Sequence, residues 1–496
     1  MAKAHAYIAP MLETISTYWP HIILFLSIAM GVPAAIHATM TKEEVRSAIG
    51  WVGVIILSPV IGALLYLIAG INRIRRSALG FQRSLVQYGA FAHLEAYDVA
   101  SDTVSETFGR RFLAMKTLGD RVARHALTTG NTIDVLDTGD KAYSGMLEAI
   151  ASARRSILLE TYIFDRDRIG KRFVQALIDA VGRNVEVRVL IDAVGARYSV
   201  PSVLGMLRDG GVKVEVFNGN VIIGLRLPYA NLRTHRKIMV IDGTVAFTGG
   251  INIREGFSAE IFGDKCAFDT HFRVVGPVVA DLFAIASEDW QFSSGEVLDK
   301  EAWQIAQPEK LPGEPVLVRA VGSGPDRSNE TNHKMLMGAF SVARTSIRIV
   351  SPYFLPDREL ITALITAARR GVTVDIVVPE TNNLTLVDRA MTAQFDQMLK
   401  NYCRIWRASG PFNHSKLLAI DGCWAYVGSS NLDPRSLRLN FEVDLEVLDR
   451  SFAEALEKRM DLSISSASAV TLEGLRNRPL AVRLFEKVLW LGSPYL

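Results

Sequence analysis

The chain contains one short pattern of polar residues twice. Residues 235–252 read HRKIMVIDGTVAFTGGIN, and residues 414–431 read HSKLLAIDGCWAYVGSSN. In both copies His, Lys, Asp and Asn stand at offsets zero, two, seven and seventeen, and the copies begin 179 residues apart. Imidazole groups act as nucleophiles and as general acids or bases, whereas ammonium and carboxamide groups hold anionic oxygens. The repeated set therefore predicts a site that attacks and stabilises an anionic substrate.

The apolar residues around each set predict the elements that carry it. The stretch from His235 to Asp242 is typical of a strand that ends in an Asp-Gly turn, and residues 245–248 (VAFT) return as the second strand of a hairpin. His and Lys two residues apart on a strand point to the same face. The hairpin also returns Gly250 and Asn252 to that end, and the second copy repeats the arrangement with WAYV as its return strand.

A single copy of this pattern has a structural explanation. A lone His in a half-buried strand is commonly a structural residue, a Lys is commonly solvated, and Asp-Gly needs only a hairpin. Folding alone does not require that a polar His-x-Lys pair be kept twice in an otherwise apolar strand. The duplication therefore favours function.

Both copies resemble the His-x-Lys-x4-Asp motif of the phospholipase D superfamily. More narrowly, NLRTHRKIMVIDG and VGSSNLDPRSLRLNFEVDLEV resemble bacterial cardiolipin synthases of the phospholipase D type. The resemblance runs from about residue 130 to the C-terminus and includes GPDRSNE near residue 324. It implies transfer of a phosphatidyl group from one phosphatidylglycerol to another, with release of glycerol. A phospholipase D hydrolase remains open, as does a transferase that uses another alcohol or phosphatidylethanolamine.

Breaking a phosphodiester without a metal requires a nucleophile, an acid for the leaving alkoxide and cations for the nonbridging oxygens. The two His and two Lys supply all three, so no metal or cofactor is expected. The resemblance implies that His235 forms a phosphohistidine and that His414 acts as acid and base. The residues predicted to hold substrate oxygens or to line the substrate site are Lys237, Lys416, Asn252, Asn431, Ser429, Gly250 and Arg233.

A nucleophilic His needs an acceptor that fixes its other ring nitrogen. Glu442, eleven residues beyond the second Asn, matches the carboxylate that orients the His in this superfamily. Its counterpart in the first half is predicted to be Asp269, with Glu255 or Glu260 as alternatives.

The motif acids Asp242 and Asp421 complete the set of catalytic candidates. Both stand at predicted turns, where Asp commonly bonds to its own backbone. A structural role is therefore the favoured interpretation for these two residues.

Composition limits the class of protein. With 49% apolar and 22% charged residues in 496, the chain is not of a disordered class. A net charge of only +3 gives no indication of a nucleic-acid partner. Cys266, Cys403 and Cys423 are odd in number and lack metal-ligand spacing, so a reducing compartment is expected.

Two apolar stretches near the N-terminus predict a membrane anchor, residues 1–76, with transmembrane helices at about 18–40 and 47–71. The alternatives are two buried core helices or a signal peptide. The link between the stretches carries two basic residues, and the flanks carry five: Lys3, Arg73, Arg75, Arg76 and Arg83. The positive-inside rule then predicts a multi-pass protein of the bacterial inner membrane with its catalytic region in the cytoplasm. Such an anchor favours phosphatidylglycerol and other membrane phospholipids as substrates.

The remainder divides into a helical connector near the membrane (77–129), two halves (130–308 and 309–465) and a tail (466–496). ARRSILLETYIF at 153–164 repeats as ARTSIRIVSPYF at 343–354. Apolar strands that alternate with helices predict the α/β class, with mixed sheets between layers of helices. The resemblance implies that a pseudo-twofold axis relates the halves and brings both motifs to one cleft.

The tail predicts an amphipathic helix. Leu480, Leu484, Val488 and Leu491 recur at helical spacing, and the pattern ends at Gly492. This helix either packs on the body, which is the favoured interpretation, or lies in the membrane interface. A membrane-tethered scaffold with an inactive site is the remaining alternative for the whole chain, and two intact His-Lys-Asn sets argue against it.

Overall fold

The computed structural model describes residues 18–42, 44–70, 93–218, 232–307, 315–326 and 328–493. The chain forms two compact units, Met1–Ser77 and Ala78–Leu496. Both copies of the polar motif lie in the second unit. The predicted boundary between the halves, at residues 308 and 309, falls outside the described residues.

Among the residues that the structure describes, the first unit has one helix long and apolar enough to cross a membrane, Tyr18–Thr41. The second predicted span is divided into the helices Val45–Leu57 and Pro59–Leu65, followed by a π-helical turn at Tyr66–Gly70. Pro59 lacks an N–H group and disfavours the helical conformation at Ser58, whose φ is −145°. The second apolar stretch therefore does not form the single uninterrupted helix that was predicted.

The short helices of this unit pack closely. A Cβ at Gly62 would lie 2.5 Å from the carbonyl oxygen of Val54, so only glycine permits this approach. The Tyr66 hydroxyl bonds to Nδ1 of His37 at 2.8 Å. Outward-facing side chains such as Phe25, 70% exposed, are apolar, as a lipid environment requires. The five basic residues on which the predicted orientation depends lie outside the described residues.

The described part of the second unit contains a mixed sheet of sixteen strands. Strands β1 to β8 are Thr128–Leu136, Ser156–Thr161, Glu186–Asp192, Lys213–Phe217, Arg233–Thr234, Ile238–Ile241, Val245–Gly249 and His271–Val275. Strands β9 to β16 are Val316–Ser323, Ser346–Val350, Thr373–Pro379, Arg404–Ala408, Leu417–Ile420, Trp424–Gly428, Asn440–Leu448 and Ala467–Ala469.

The strand order is the same in both halves. It is β4-β3-β2-β6-β7-β8-β1 in the first half and β12-β11-β10-β13-β14-β15-β9 in the second. The halves join where β1 pairs antiparallel with β9, with Thr128 opposite Val318. An antiparallel pair has a local twofold axis, so this seam fits the pseudo-twofold relation that the resemblance implies. The predicted α/β class with mixed sheets is confirmed.

Helices cover both faces of the sheet because successive strand residues point to opposite sides. In β13, Leu418 packs into one core with the helix Arg358–Arg369, whereas Leu417 packs into another with the helix Arg450–Ser465. The helices of this unit are Ser101–Phe108, Arg110–Val122, Gly139–Ser152, Arg168–Gly182, Leu204–Asp209, Ala259–Phe262, Val278–Ser294, Thr331–Val342, Arg358–Arg369, Thr385–Thr392, Phe395–Leu399, Pro434–Arg438, Arg450–Ser465, Leu472–Arg476 and Leu480–Leu491.

The described part of the predicted connector, residues 93–127, belongs to the body. Phe112 and Met115 are buried in the same core as Met335 of the second half. Arg319 of β9 donates to the carbonyl of Lys116 at 3.2 Å and pairs with Asp120 at 2.9 Å. This segment packs against the second half, and its predicted position near the membrane stays a prediction.

The C-terminal helix Leu480–Leu491 also lies on the body, beside the helix Thr385–Thr392. Glu486 is 1% exposed and pairs with Arg478 at 2.8 Å and with Arg389 at 3.3 Å. The helix contacts the body through the face that carries Glu486, so the apolar stripe predicted from the sequence remains exposed.

Candidate active site

The two motif segments cross from one half of the body to the other. In the first copy, β5 pairs with β15 of the second half, and the backbone N–H of His235 donates to the carbonyl of Phe441 at 2.8 Å. In the second copy, the N–H of His414 donates to the carbonyl of Phe268 at 2.6 Å. The motif strand β6 begins only at Ile238, after the His-x-Lys residues. The strand predicted to start at the His is thus shorter, because the preceding residues bond to the opposite half.

Each imidazole is fixed by a carboxylate from the opposite half. Nδ1 of His235 lies 2.9 Å from Oε2 of Glu442, and Nδ1 of His414 lies 2.7 Å from Oδ2 of Asp269. Both carboxylates are fully buried. A carboxylate at Nδ1 selects the tautomer with its proton on Nδ1, which leaves the lone pair of Nε2 for a substrate.

The alternatives considered for the first-half carboxylate have other partners. Glu255 pairs with Arg168 at 3.1 Å, and Glu260 lies 3.5 Å from Arg172 and is largely exposed. Asp269 is therefore the acid that the fold brings to the second imidazole.

The two lysines lie beside the imidazoles and are almost fully buried. Nζ of Lys237 donates to the carbonyl of His235 at 2.5 Å, and Nζ of Lys416 lies 2.7 Å from Nδ1 of His414. Burial lowers the pKa of Lys237 to about 7, and it also lowers the pKa of Lys416. An anionic substrate would raise both pKa values again and hold the lysines as cations.

Burial also keeps the imidazoles neutral. It lowers the pKa of His414 to about 4, with a further lowering from the charge of Lys416 and an opposing effect of Asp269. The pKa of His235 is lowered in the same way, with Glu442 opposing. Burial alone would raise the pKa of both carboxylates, but the neighbouring Lys charges and the hydrogen bonds from the imidazoles hold these pKa values below their usual range. Neutral imidazoles against ionised acids suit nucleophilic and general-base chemistry.

Both imidazoles line one cavity of about 360 Å³. Asn252, Asn431 and Arg233 also contribute to its wall. Oδ1 of Asn252 accepts from the backbone N–H of Ile163 at 3.2 Å, which leaves its Nδ2 as a donor for a substrate oxygen. The structure thus collects these five predicted residues around one space, with the two lysines buried beside the imidazoles.

Ser429 and Gly250 occupy equivalent positions behind the carboxylates rather than at the cavity wall. The Ser429 hydroxyl donates to Oε2 of Glu442 at 2.5 Å. A Cβ at Gly250 would lie 2.2 Å from Oδ1 of Asp269, so this glycine leaves room for that carboxylate. Both residues therefore lie against the acids that fix the imidazoles, and their predicted contact with substrate stays a prediction.

The motif acids Asp242 and Asp421 lie at the hairpin turns, at the other end of the motif strand from the imidazoles. Asp242 accepts from the backbone N–H groups of Arg155 at 2.7 Å and Ser156 at 2.9 Å, and Asp421 accepts from the equivalent residues of the second half. Both have φ of 53°. These contacts fit the structural role that the turn position favoured for both acids.

Several residues of the cavity wall were not identified from the sequence. Tyr162 lies with its ring 5.1 Å from that of His235, and Tyr353 lies 5.8 Å from that of His414. Both stand in the repeated segments ETYIF and VSPYF but not at equivalent positions, because Tyr162 aligns with Pro352. Comparing the two repeats residue by residue would therefore not have indicated them. Arg254 and Arg435 also line the cavity, and no pattern in the sequence marks them.

In the described residues, two groups of side chains have the spacing to hold a metal: His93 with His125 and Asp281, and His333 with Asp357 and Glu359. None of these six residues lines the cavity. Metal-free chemistry at the two imidazoles remains a prediction.

Comparison with known proteins identifies the family of the chain. Residues 146–259 and 336–463 match the cardiolipin synthase, phospholipase D-like domain family, and residues 29–70 match the phospholipase D-nuclease N-terminal family. A cardiolipin synthase of Alkalihalophilus pseudofirmus is 31% identical over 90% of this chain and 88% of its own length. The chain belongs to the cardiolipin synthase family.

Other members of the family match over almost the whole chain. A cardiolipin synthase A of Pseudomonas putida is 29% identical over 97% of this chain and 99% of its own length. Among solved structures, a phosphatidylserine synthase of Haemophilus influenzae has a TM-score of 0.58 at 16% identity, over 77% of this chain and 100% of that chain. The similarity to this phosphatidylserine synthase concerns the fold alone.

Proposed function

We propose that this protein makes cardiolipin by transferring a phosphatidyl group from one phosphatidylglycerol to the glycerol hydroxyl of another, with release of glycerol. The observation that carries the proposal is the pair of imidazoles, each fixed through Nδ1 by a carboxylate of the opposite half, on one cavity. Membership of the cardiolipin synthase family supports the substrate class.

In the first step, the Nε2 lone pair of His235 attacks phosphorus. A bond forms between Nε2 and phosphorus, and the bond from phosphorus to the glycerol oxygen breaks. His414 gives a proton to that oxygen, so glycerol leaves as a neutral alcohol. The phosphorylated imidazole carries positive charge with its proton on Nδ1, and the buried carboxylate of Glu442 at 2.9 Å offsets this charge.

In the second step, His414 takes the proton from the hydroxyl of a second phosphatidylglycerol. That oxygen attacks phosphorus, the bond to Nε2 breaks and His235 returns to its neutral form. Two phosphatidylglycerols thus give one cardiolipin and one glycerol.

The charges of the site have to change when substrate arrives. The pKa of about 4 for His414 leaves it without the proton that the first step requires. A bound phosphodiester brings a negative charge that raises the pKa values of His414, Lys237 and Lys416. The lysines then hold the nonbridging oxygens as charge builds up on phosphorus.

Incubation of purified protein with phosphatidylglycerol vesicles, followed by separation of lipids and assay of free glycerol, tests the reaction. We expect cardiolipin and glycerol in equal amounts. Phosphatidic acid in place of cardiolipin would assign a hydrolase, and no turnover would leave only a scaffold. A second incubation with added phosphatidylethanolamine shows whether another lipid alcohol competes as acceptor.

We also propose that the N-terminal stretches cross the bacterial inner membrane twice and leave the catalytic body in the cytoplasm. The count of five flanking basic residues against two in the link supports this orientation, and Tyr18–Thr41 supports membrane association. Reporter fusions at the link and after residue 76 should locate the link outside the cytoplasm and residue 76 inside. A cytoplasmic link would contradict the two-pass topology.

A further inference from the structure

The C-terminal helix turns an apolar stripe away from the body. Leu480, Leu484, Val488 and Leu491 are between 56% and 76% exposed, and their spacing of four, four and three residues places them on one face. Phe485, 52% exposed, widens this stripe. Exposed leucines are common singly, but a contiguous row of large apolar side chains indicates an interaction surface.

Specific contacts on the other side fix this orientation. Glu486 is buried between Arg478 and Arg389, and Nζ of Lys487 donates to the carbonyl of Ala393 at 2.6 Å. Trp490 packs against the core of the second half. The body therefore holds the helix with its apolar stripe outward.

The helix that carries the stripe packs beside a helix at the wall of the substrate cavity. The helix Thr385–Thr392 is the packing partner of the C-terminal helix. Leu384, directly before it, lines the cavity and is 47% exposed, and Leu386 is 52% exposed. Val387 also lines the cavity. One short helix thus connects the apolar stripe to the place where substrate binds.

Charge identifies the occupant of this surface. Arg476 and Arg483 are exposed beside the stripe, and the Lys487 side chain is 52% exposed. Basic residues around an apolar stripe attract anionic lipid headgroups. A second copy of the chain would bring the same positive charges together, which opposes self-association through this face.

We propose that Leu384, Leu386, Leu480, Leu484, Phe485, Val488 and Leu491 form a docking face that enters the acyl-chain boundary of an anionic leaflet and brings the cavity to the headgroups. The choice of a phospholipid leaflet rests on the proposed function. A membrane tether limits how far a catalytic body moves from the bilayer, but it does not select which face meets the lipid. The docking face makes that selection.

Fluorescence of the full-length protein in nanodiscs tests the docking face. Cys266, Cys403 and Cys423 are all buried, so a Leu484→Cys variant can be labelled selectively with an environment-sensitive fluorophore. Leu462→Cys is the matched control, because Leu462 is 72% exposed on the helix Arg450–Ser465, which covers the opposite face of the second half-sheet.

In nanodiscs that contain phosphatidylglycerol and acyl-chain nitroxide lipids, the label at position 484 should be quenched at least three-fold more than the label at position 462. Equal quenching at both positions would overturn the docking face. A label at position 484 that is shielded from aqueous iodide but not quenched by the nitroxide lipids would indicate a protein partner and would also overturn it.

Turnover provides a second readout. The double variant Leu484→Asp/Val488→Asp should make cardiolipin from vesicles at least ten-fold more slowly than the wild type, and from monomeric short-chain phosphatidylglycerol within two-fold of it. Leu462→Asp should match the wild type on both substrates. An unchanged vesicle rate, or an equal loss on both substrates, would contradict docking. If the wild type makes cardiolipin from neither, the proposed function fails, and the fluorescence result still decides the docking face.

Discussion

Replacing Glu442 with Gln tests the coupling between the halves most directly. The side chain keeps its shape but loses the charge that lies 2.9 Å from Nδ1 of His235. At an effective dielectric constant of about 20, two unit charges at this distance attract by roughly 6 kcal/mol, which is an upper limit for the stabilisation of the phosphorylated, cationic imidazole. The amide dipole retains part of this interaction.

The amide also donates a hydrogen bond, so it stabilises the tautomer whose proton lies on Nε2. That tautomer cannot attack phosphorus. A net loss of about 4 kcal/mol in the transition state corresponds to a decrease in kcat of roughly 10³-fold. The Ser429→Ala variant is the matched control: it removes the hydroxyl that donates to the same carboxylate at 2.5 Å but leaves the charge. We expect this variant to lose only about ten-fold.

The assay follows cardiolipin formation from labelled phosphatidylglycerol at saturating substrate, with the melting temperature as a check on folding. A Glu442→Gln protein that folds normally and keeps more than a tenth of the wild-type kcat would refute the role of the opposite half in fixing the nucleophile. Asp269→Asn, measured in parallel, should show a comparable loss through His414.

Four further outcomes are expected. Either His235→Ala or His414→Ala should abolish turnover. Trapping under alkaline conditions, in which a phosphohistidine survives, should find the phosphatidyl group on His235; finding it on His414 would reverse the assignment. Lys237 has a pKa of about 7 and is proposed to bind phosphate only when protonated, so kcat/KM should fall as pH rises through 7. Lys237→Arg should move this fall to higher pH. A fall at the same pH in the variant would show that Lys237 is not the group that titrates. Activity should persist in excess chelator, and its complete loss would require a metal. Asp421→Ala should lower the free energy of unfolding by about 2–4 kcal/mol, because three backbone N–H groups lose their acceptor. The kcat of the folded variant should stay within two-fold of the wild-type value. A large loss of kcat would indicate a catalytic role for Asp421.

Much of the candidate site could be predicted from the sequence, because residue types and their spacing are visible there. The duplicated His-x-Lys sets marked both imidazoles and both lysines, since polar pairs in apolar strands are not kept twice without a use. The alternation of apolar strands and helices predicted the α/β class. The turn positions of Asp242 and Asp421 already favoured a structural role.

The second apolar stretch shows where a hydropathy pattern is insufficient. Its composition suits a single span, but Pro59 interrupts the helix through one missing N–H group and one steric clash. The tail helix is similar, because its apolar stripe was visible while the side that meets the body was not. Buried ion pairs at Glu486 fixed that choice.

The amino-acid sequence by itself marked the groups that are proposed to do the chemistry and gave each half one complete set, since residue types and spacing are local properties. Only the tertiary structure decided that each imidazole of one half is held by the acid of the other. Glu442 lies 207 residues from His235, and Asp269 lies 145 residues from His414. Pairing at such separations depends on how the strands of the two halves meet across the β1–β9 seam, and no local pattern encodes that meeting.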